Sequence, residues 1–316
     1  MTRDREKRMA LQLSDKSIST KAKLEGWVDR NLKFIFTLPA LLLVLALIIY
    51  PLIYTIQLAL TDASRSTTRA KNFIGLENFV TLLHDTERFW PAVGRTVYFT
   101  GAGLIIETVC ALGLALLLRK AFRGQGIVRT AILLPLVATP VAVGMMWMLI
   151  FQPSIGFANV FIEWFGIPAQ GWLSDPGQTL NTLIFIDVWQ WTPMMALILL
   201  AGLASIPEEP EEAALVDGAS WLQRHIYVTI PMLKPAIFAA ILLRAIDSLK
   251  TFDILYATKG AGGGSNHEAE TLNVLAYSYS FDYQDYGIAS AVLILFLILI
   301  CGAVALVTVA SKAGAK

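Results

Sequence analysis

The chain has 316 residues, 56% of them hydrophobic and only 16% charged, with a formal net charge of +1. That apolar surplus is too large for a water-soluble domain of this length and calls for a bilayer as solvent. A near-neutral chain whose basic residues gather at membrane flanks is not built to hold nucleic acid, and its two cysteines, Cys110 and Cys301, both inside apolar segments, suggest neither a disulfide framework nor a metal site.

Residues 1–33 form a polar tail in which Leu24, Trp27, Val28 and Leu32 recur at helical spacing between basic residues, the pattern of an interfacial helix. No signal peptide is evident, because the first apolar run is too long and lies behind that tail. A spanning helix needs about 20 mostly apolar residues, and six windows qualify: 34–60, 97–118, 127–151, 180–203, 232–256 and 287–310. They are apolar on every side, unlike the short alternating strands of a spanning barrel. The fold expected is therefore all-α and integral to the membrane, with six transmembrane helices in one domain over 34–316.

The tail before the first span carries nine Lys and Arg, and the second-to-third connection carries Arg119, Lys120, Arg123 and Arg129. The third-to-fourth connection has none and the fifth-to-sixth only Lys259. Basic residues stay on the cytoplasmic side, so both termini are expected inside (N-in/C-in), although the long first-to-second connection, with Arg65, Arg69, Lys71, Arg88 and Arg95, runs against the trend. That connection also holds "FIGLENFVTLLHDTERFW", an amphipathic stretch, and the third connection is rich in Gly, Pro and Trp, as suits a loop at the interface.

Between the fourth and fifth spans lies a cytoplasmic block, 205–231. Ser205 followed by Glu208 reads as a capping box with Pro207 in the first turn. Glu208, Glu209, Glu211 and Glu212 crowd the positive end of the helix dipole, Ala213 and Ala214 offer a small smooth surface, and Gly218 is a natural stop.

The spelling "EAALVDGASWLQRHIYVTIP" resembles the EAA signature of the membrane subunits of ATP-binding-cassette importers. The resemblance to the maltose-type carbohydrate permeases extends over nearly the whole chain, through "FIGLENFVTLL", "FRGQGIVRTAILLP", "WTP", "AGLASIPEE", "LKTFDILYATKG" and "YGIASA". It implies a coupling helix seated in a cleft of a cytoplasmic ATPase, with Glu211, Glu212, Ala213, Ala214, Asp217 and Gly218 as the contact residues. It also implies a multi-pass protein of the bacterial inner membrane that works with a second homologous permease, two ATPase subunits and a soluble or lipid-anchored substrate-binding protein. ATP and Mg belong to the ATPases: this chain has no Gly-x-x-x-x-Gly-Lys-Ser/Thr phosphate loop, and its "KGAGGGS" reads as a flexible turn. The family commonly has Thr-Gly-Gly-Pro there, so this stretch departs from the pattern.

Charged groups inside a bilayer demand a partner or a role. Arg244, Asp247, Lys250 and Asp253 follow in steps of three along one helical flank, so neighbours can neutralise one another or offer donors and acceptors to a polyhydroxylated ligand. Asp187 and Gln190 lie one turn apart beside Trp189 and Trp191, which are either interfacial belt residues or a sugar-binding wall. In the resembling family sugar binds just before and just after the coupling block, which points to Asp187, Gln190, Trp191, Met194, Asp247, Ser248, Lys250 and Thr251. Lys250, if unpaired, would favour an anionic sugar derivative. Glu107 has no evident partner. His84, His225 and His267 fall in separate connections, so no catalytic or metal cluster is expected. The rival reading is a stand-alone ion-coupled carrier with Glu107, Asp247 and Lys250 as its relay.

Overall fold

The computed structural model describes residues 31–64, 72–119 and 122–314, except residue 35. Of the expected interfacial helix, Leu24, Trp27 and Val28 lie outside them and Leu32 falls in the first long helix, while the basic residues Arg65, Arg69, Lys71 and Lys120 also lie outside. The described residues are nearly all helical, with two isolated β-bridges, Thr61 to Phe73 and Ser64 to Asp285. Residues 1–57 and 58–316 form two separate units.

Five helices are long and apolar enough to cross a membrane, or six if one bent pair counts as a single span. The first is α1 (Asn31–Ala59), apolar all round. A short amphipathic α2 (Glu77–His84) buries Leu82, and α3 (Phe89–Arg119) follows after Asp85 accepts the amides of Glu87 and Arg88 at 3.0 and 2.9 Å. The third span is not the single helix expected over 127–151. It is broken into α4 (Gln125–Val137) and α5 (Pro140–Ile150), bent by 99°. The cause is local: Thr139 precedes a proline, which excludes the helical region, and it adopts φ −67°, ψ 145° while capping α5 through Ala142 N–H.

The short α6 (Phe157–Glu163) precedes α7 (Pro176–Ala204), whose start is fixed by Asp175 accepting from Gly177 N–H and by Pro176 in the first turn. Next come α8 (Glu209–Val216), α9 (Trp221–Arg224), a π-turn at His225–Thr229 and α10 (Ile230–Leu249). The fifth span is also interrupted, at Lys250–Phe252, before α11 (Asp253–Lys259), so Asp253 begins a new helix and does not extend the charged flank of α10. After α12 (Leu272–Tyr277), α13 (Tyr286–Gly314) is the last span.

Three apolar clusters hold these elements in place. Met195, Leu199 and Leu203 of α7 pack with Ala111 and Ala115 of α3 and with Leu233 and Ala240 of α10. The backbones come close here: a Cβ on Gly202 would stand 2.5 Å from Ala236 Cβ. Phe99, Leu183, Ile186, Val143, Ile254 and Leu255 join α3, α7, α5 and α11. Leu82, Phe89, Leu275, Val292 and Phe296 join α2, α3, α12 and α13.

The glycine stretch is not a flexible turn. Gly260, Gly262, Gly263 and Gly264 all take positive φ, and the loop is closed by Ala269 N–H to Gly263 O at 2.9 Å and by Gly262 N–H to Ser278 Oγ at 3.1 Å. Lys259 pairs with Glu268 at 2.6 Å across it, and the buried Glu270 beyond it pairs with Arg88. Burial pushes the Glu268 carboxyl up, but its hydrogen bond with Lys259 and two backbone amides bring it below the usual carboxylate range.

Candidate translocation site

The broken backbone at Ala138 leaves a carbonyl outside the helical ladder, and Gln190 Nε2 donates to it at 3.1 Å. That bond turns the amide so that Gln190 Oε1 is left without a partner, buried at 2% exposure. Asp187, one turn earlier, faces Gly103 of α3, whose missing side chain leaves 3.9 Å between a built Cβ and Asp187 Oδ2.

Arg244 of α10 is wholly buried and is the hub of the site. Its Nε and Nη2 donate to Glu107 at 2.8 and 2.9 Å in a fork, Nη2 also bonds Asp187, and Nη1 bonds Asp247 at 3.0 Å. Its guanidinium carbon stands 5.2 Å from the Trp191 ring centroid, so the cation is satisfied by charge, hydrogen bonds and a π-face together. Glu107 therefore does have a partner, 137 residues away in the chain. Asp247 keeps about half its side chain exposed.

These groups border one cleft of about 150 Å³, lined by Pro140, Asp187, Gln190, Trp191, Asp247, Lys250, Thr251, Phe252, Asp253 and Ile254. Six of the eight residues singled out for the path are among them. Met194 and Ser248 are not: Met194 is half-buried, and Ser248 is buried with its hydroxyl unpartnered. Both interrupted spans end at this cleft, since Pro140 opens α5 and residues 250–253 link α10 to α11. The half-helices beyond the breaks pack together through Gly144, where an added Cβ would meet Thr258 Cγ2 at 3.1 Å. Sequence reasoning passed over Pro140 and Phe252, and gave Asp253 a place on α10. Thr-Pro inside an apolar run was the signal available for the first.

The second candidate surface is α8. No residue in it is buried, and Val216 is 87% exposed. Its start differs from expectation: Ser205 donates its hydroxyl to Gly202 O instead of capping, Glu208 occupies the cap without a side-chain bond, and Pro210, not Pro207, sits in the first turn. The capping box lies at α9, where Ser220 and Gln223 exchange bonds at 3.3 and 2.8 Å. The end is as expected. Gly218 takes φ +81°, with its N–H on Leu215 O at 3.1 Å and Ala219 N–H on Ala214 O at 2.9 Å, a Schellman closure.

Ala214, Asp217 and Gly218 line an open groove of about 420 Å³ with Ala219, Gln223, Arg224, Tyr227 and Val228, while Glu212 and Ala213 are exposed beside it. Glu211 differs. It turns inward to pair with Arg119 at the end of α3 and accepts from Thr229 Oγ1 at 2.7 Å, so it braces α8 against the bundle rather than facing outward. Burial pushes its carboxyl up, and the bonds from Arg119 and Thr229 outweigh this to hold it below the usual range. Among the described residues no His, Cys, Asp and Glu group suits a metal ion.

The model of the family described as "Binding-protein-dependent transport system inner membrane component" matches residues 107–312. The trehalose/maltose transport system permease protein MalF of Thermococcus litoralis is 35% identical over 84% of this chain and 87% of its own. The trehalose transport system permease protein SugA of Mycobacterium tuberculosis is 36% identical over 79% and 78%. The sulfoquinovosyl glycerol transport system permease protein SmoG of Agrobacterium fabrum is 32% identical over 75% and 77%. A solved bacterial ABC transporter that imports the acidic polysaccharide alginate shares the fold, with a TM-score of 0.78 and 22% identity over 93% of this chain and all of that one. The chain thus belongs to the inner membrane permeases of binding-protein-dependent ABC importers.

Proposed function

We propose that this permease carries a carbohydrate or glycoside, and that its share of the path is the cleft between the two interrupted spans. The observation that carries the reading is the convergence of Asp187, Gln190, Trp191, Asp247, Lys250 and Thr251 on one cleft, with Asp187 Oδ1 and Gln190 Oε1 buried and unsatisfied. Buried acceptors without partners are costly in a protein interior, and sugar hydroxyls are donors of the right kind. The indole of Trp191 and the ring of Phe252 suit the flat C–H faces of a pyranose. The named sugars of the MalF and SugA relatives support the same class.

The chain works, in this reading, by alternating access beside a second homologous permease, with both termini in the cytoplasm. A soluble or lipid-anchored binding protein delivers the ligand, as the alginate importer's structure with a pentasaccharide-bound periplasmic protein illustrates for that transporter. ATP and Mg are held by two separate ATPase subunits. The α8 surface of Glu212, Ala213, Ala214, Asp217 and Gly218 is the seat for one of them, with the small alanines allowing close contact and Glu211 bracing it from behind. Family membership sets aside the stand-alone ion-coupled carrier.

Uptake of labelled trehalose or maltose into proteoliposomes holding the complete complex tests the proposal. Accumulation should need internal ATP and the binding protein, and should fall at least about tenfold when Asp187 and Gln190 are both replaced, the factor for 1.4 kcal/mol. Uptake that persists without the ATPase subunits, or is indifferent to both substitutions, would overturn it.

A further inference from the structure

The cleft has a sign. Its wall carries three carboxylates, Asp187, Asp247 and Asp253, against one ammonium, Lys250. Behind the wall Arg244 is already shared among Glu107, Asp187 and Asp247, so its charge is spent inside the protein. Counted together, four carboxylates face two cations. Two buried atoms of wall residues, Asp187 Oδ1 and Gln190 Oε1, are unsatisfied and can only accept.

We propose that this site takes uncharged or amine-bearing glycosides and excludes anionic ones such as uronates and sulfonates; the inference rests on the cleft being the transport path. Lys250 alone points the other way, toward an anion. Its neighbours outnumber it: three carboxylates share the wall with the one ammonium, so a ligand carboxylate would meet a surplus of like charge in a partly desolvated cleft. The fold does not dictate this sign, since the alginate importer with the same fold carries an acidic polysaccharide.

The test uses the intact permease and ATPase complex in lipid nanodiscs, without binding protein so that the receptor's selectivity plays no part. Calorimetric titrations compare three matched probes: trehalose, its 6-amino analogue and its 6-carboxylate. Trehalose and the amine should saturate the complex, and the carboxylate should bind at least tenfold more weakly. Asp253→Asn should narrow that gap by strengthening carboxylate binding relative to trehalose binding. A carboxylate that binds as well as trehalose overturns the charge assignment and leaves the transport path standing. If none of the three saturates the complex, the path and the charge assignment fall together.

Discussion

Replacing Arg244 with methionine keeps the length and apolar bulk of the side chain and deletes every charge contact at the hub. Two bonds to Glu107 at 2.8 and 2.9 Å, one to Asp187 and one to Asp247 at 3.0 Å are lost together. Glu107 and Asp187, each about 1% exposed, are left side by side without a counter-ion. Removing one partner of a buried ion pair costs about 3–5 kcal/mol, most of it from the charge left behind. At about 2–4 °C per kcal/mol for a domain of this size, thermal unfolding should move down by roughly 6–20 °C. The purified complex in detergent, followed by the fluorescence of its tryptophans or by aggregation on heating, gives the shift. The double variant Arg244→Met with Glu107→Leu separates charge from packing, because it also removes one stranded carboxylate. It should recover at least about 1 kcal/mol relative to simple addition of the two single effects, the signature of coupled neighbours. A single variant that melts with the parent, or a double variant that is worse by the full sum, would refute the hub. Arg244→Lys should fail to rescue, since an ammonium cannot make the forked contact.

Gly218 has open space around a built Cβ but a φ of +81°, so Gly218→Ala should cost about 1 kcal/mol from backbone strain alone, and Gly218→Asn less, as asparagine tolerates that region; hydrogen exchange of the α8 amides reads both. Gly202→Leu should cost about 1–3 kcal/mol by overpacking, because the added side chain meets Ala236 and Leu233 where α7 and α10 touch; unchanged melting would count against that close approach. Glu211→Gln should leave trehalose binding at the cleft intact while cutting ATP-driven uptake by about tenfold, given about 1.5–3 kcal/mol for a hydrogen bond to a charged group; equal losses in binding and uptake would oppose the bracing role. Because the Glu211 pKa is depressed in the fold, its brace stabilises α8 above the ordinary glutamate value of 4.5 and is lost as pH falls below it. Hydrogen exchange of α8 at pH 7 and pH 4 should show that loss in the parent and not in the Gln variant.

The spans were legible because a run of about 20 apolar residues has one economical home. Their interruptions were less so. The bend at Ala138–Thr139 is written in two letters, Thr-Pro, inside a segment whose hydropathy reads as continuous. At 250–252 no proline or glycine marks the break, and only the packing of α11 on α5 explains why the chain turns there. Glu107 and Arg244 each looked costly in isolation, and nothing local could pair residues 137 positions apart. The residues now seen at the cleft were singled out because carboxylate, amide and indole sit together in "DVWQW", and because the resemblance pointed to both flanks of the coupling block. The inward turn of Glu211 was hidden for the opposite reason: four glutamates in five positions look alike in sequence, and only the helical phase of α8 turns this one toward Arg119. The same lack of phase information concealed the true cap, since Ser205 and Ser220 both precede a Glu or Gln by three residues and only Ser220 has an extended backbone, at ψ 163°.

Two ion pairs on one helix connect the two candidate surfaces. α3 holds the cleft hub through Glu107 and holds α8 through Arg119. Their separation of twelve positions corresponds to about 18 Å of helix at about 1.5 Å per residue. An α-helix of that length is stiff, and α3 is packed along α7 throughout this stretch by Ala111 and Ala115 against Met195, Leu199 and Leu203. Through Arg119 and Glu107 the stiff helix ties the position of α8 to that of the Arg244 hub. The breaks in the third and fifth spans, at Pro140 and Lys250–Phe252, lie at the cleft end of this strut, and α3 itself is unbroken. The arrangement gives a reason for charge to be retained in the bilayer: an apolar contact would hold α3, α7 and α10 together but would not fix their register at one atom pair.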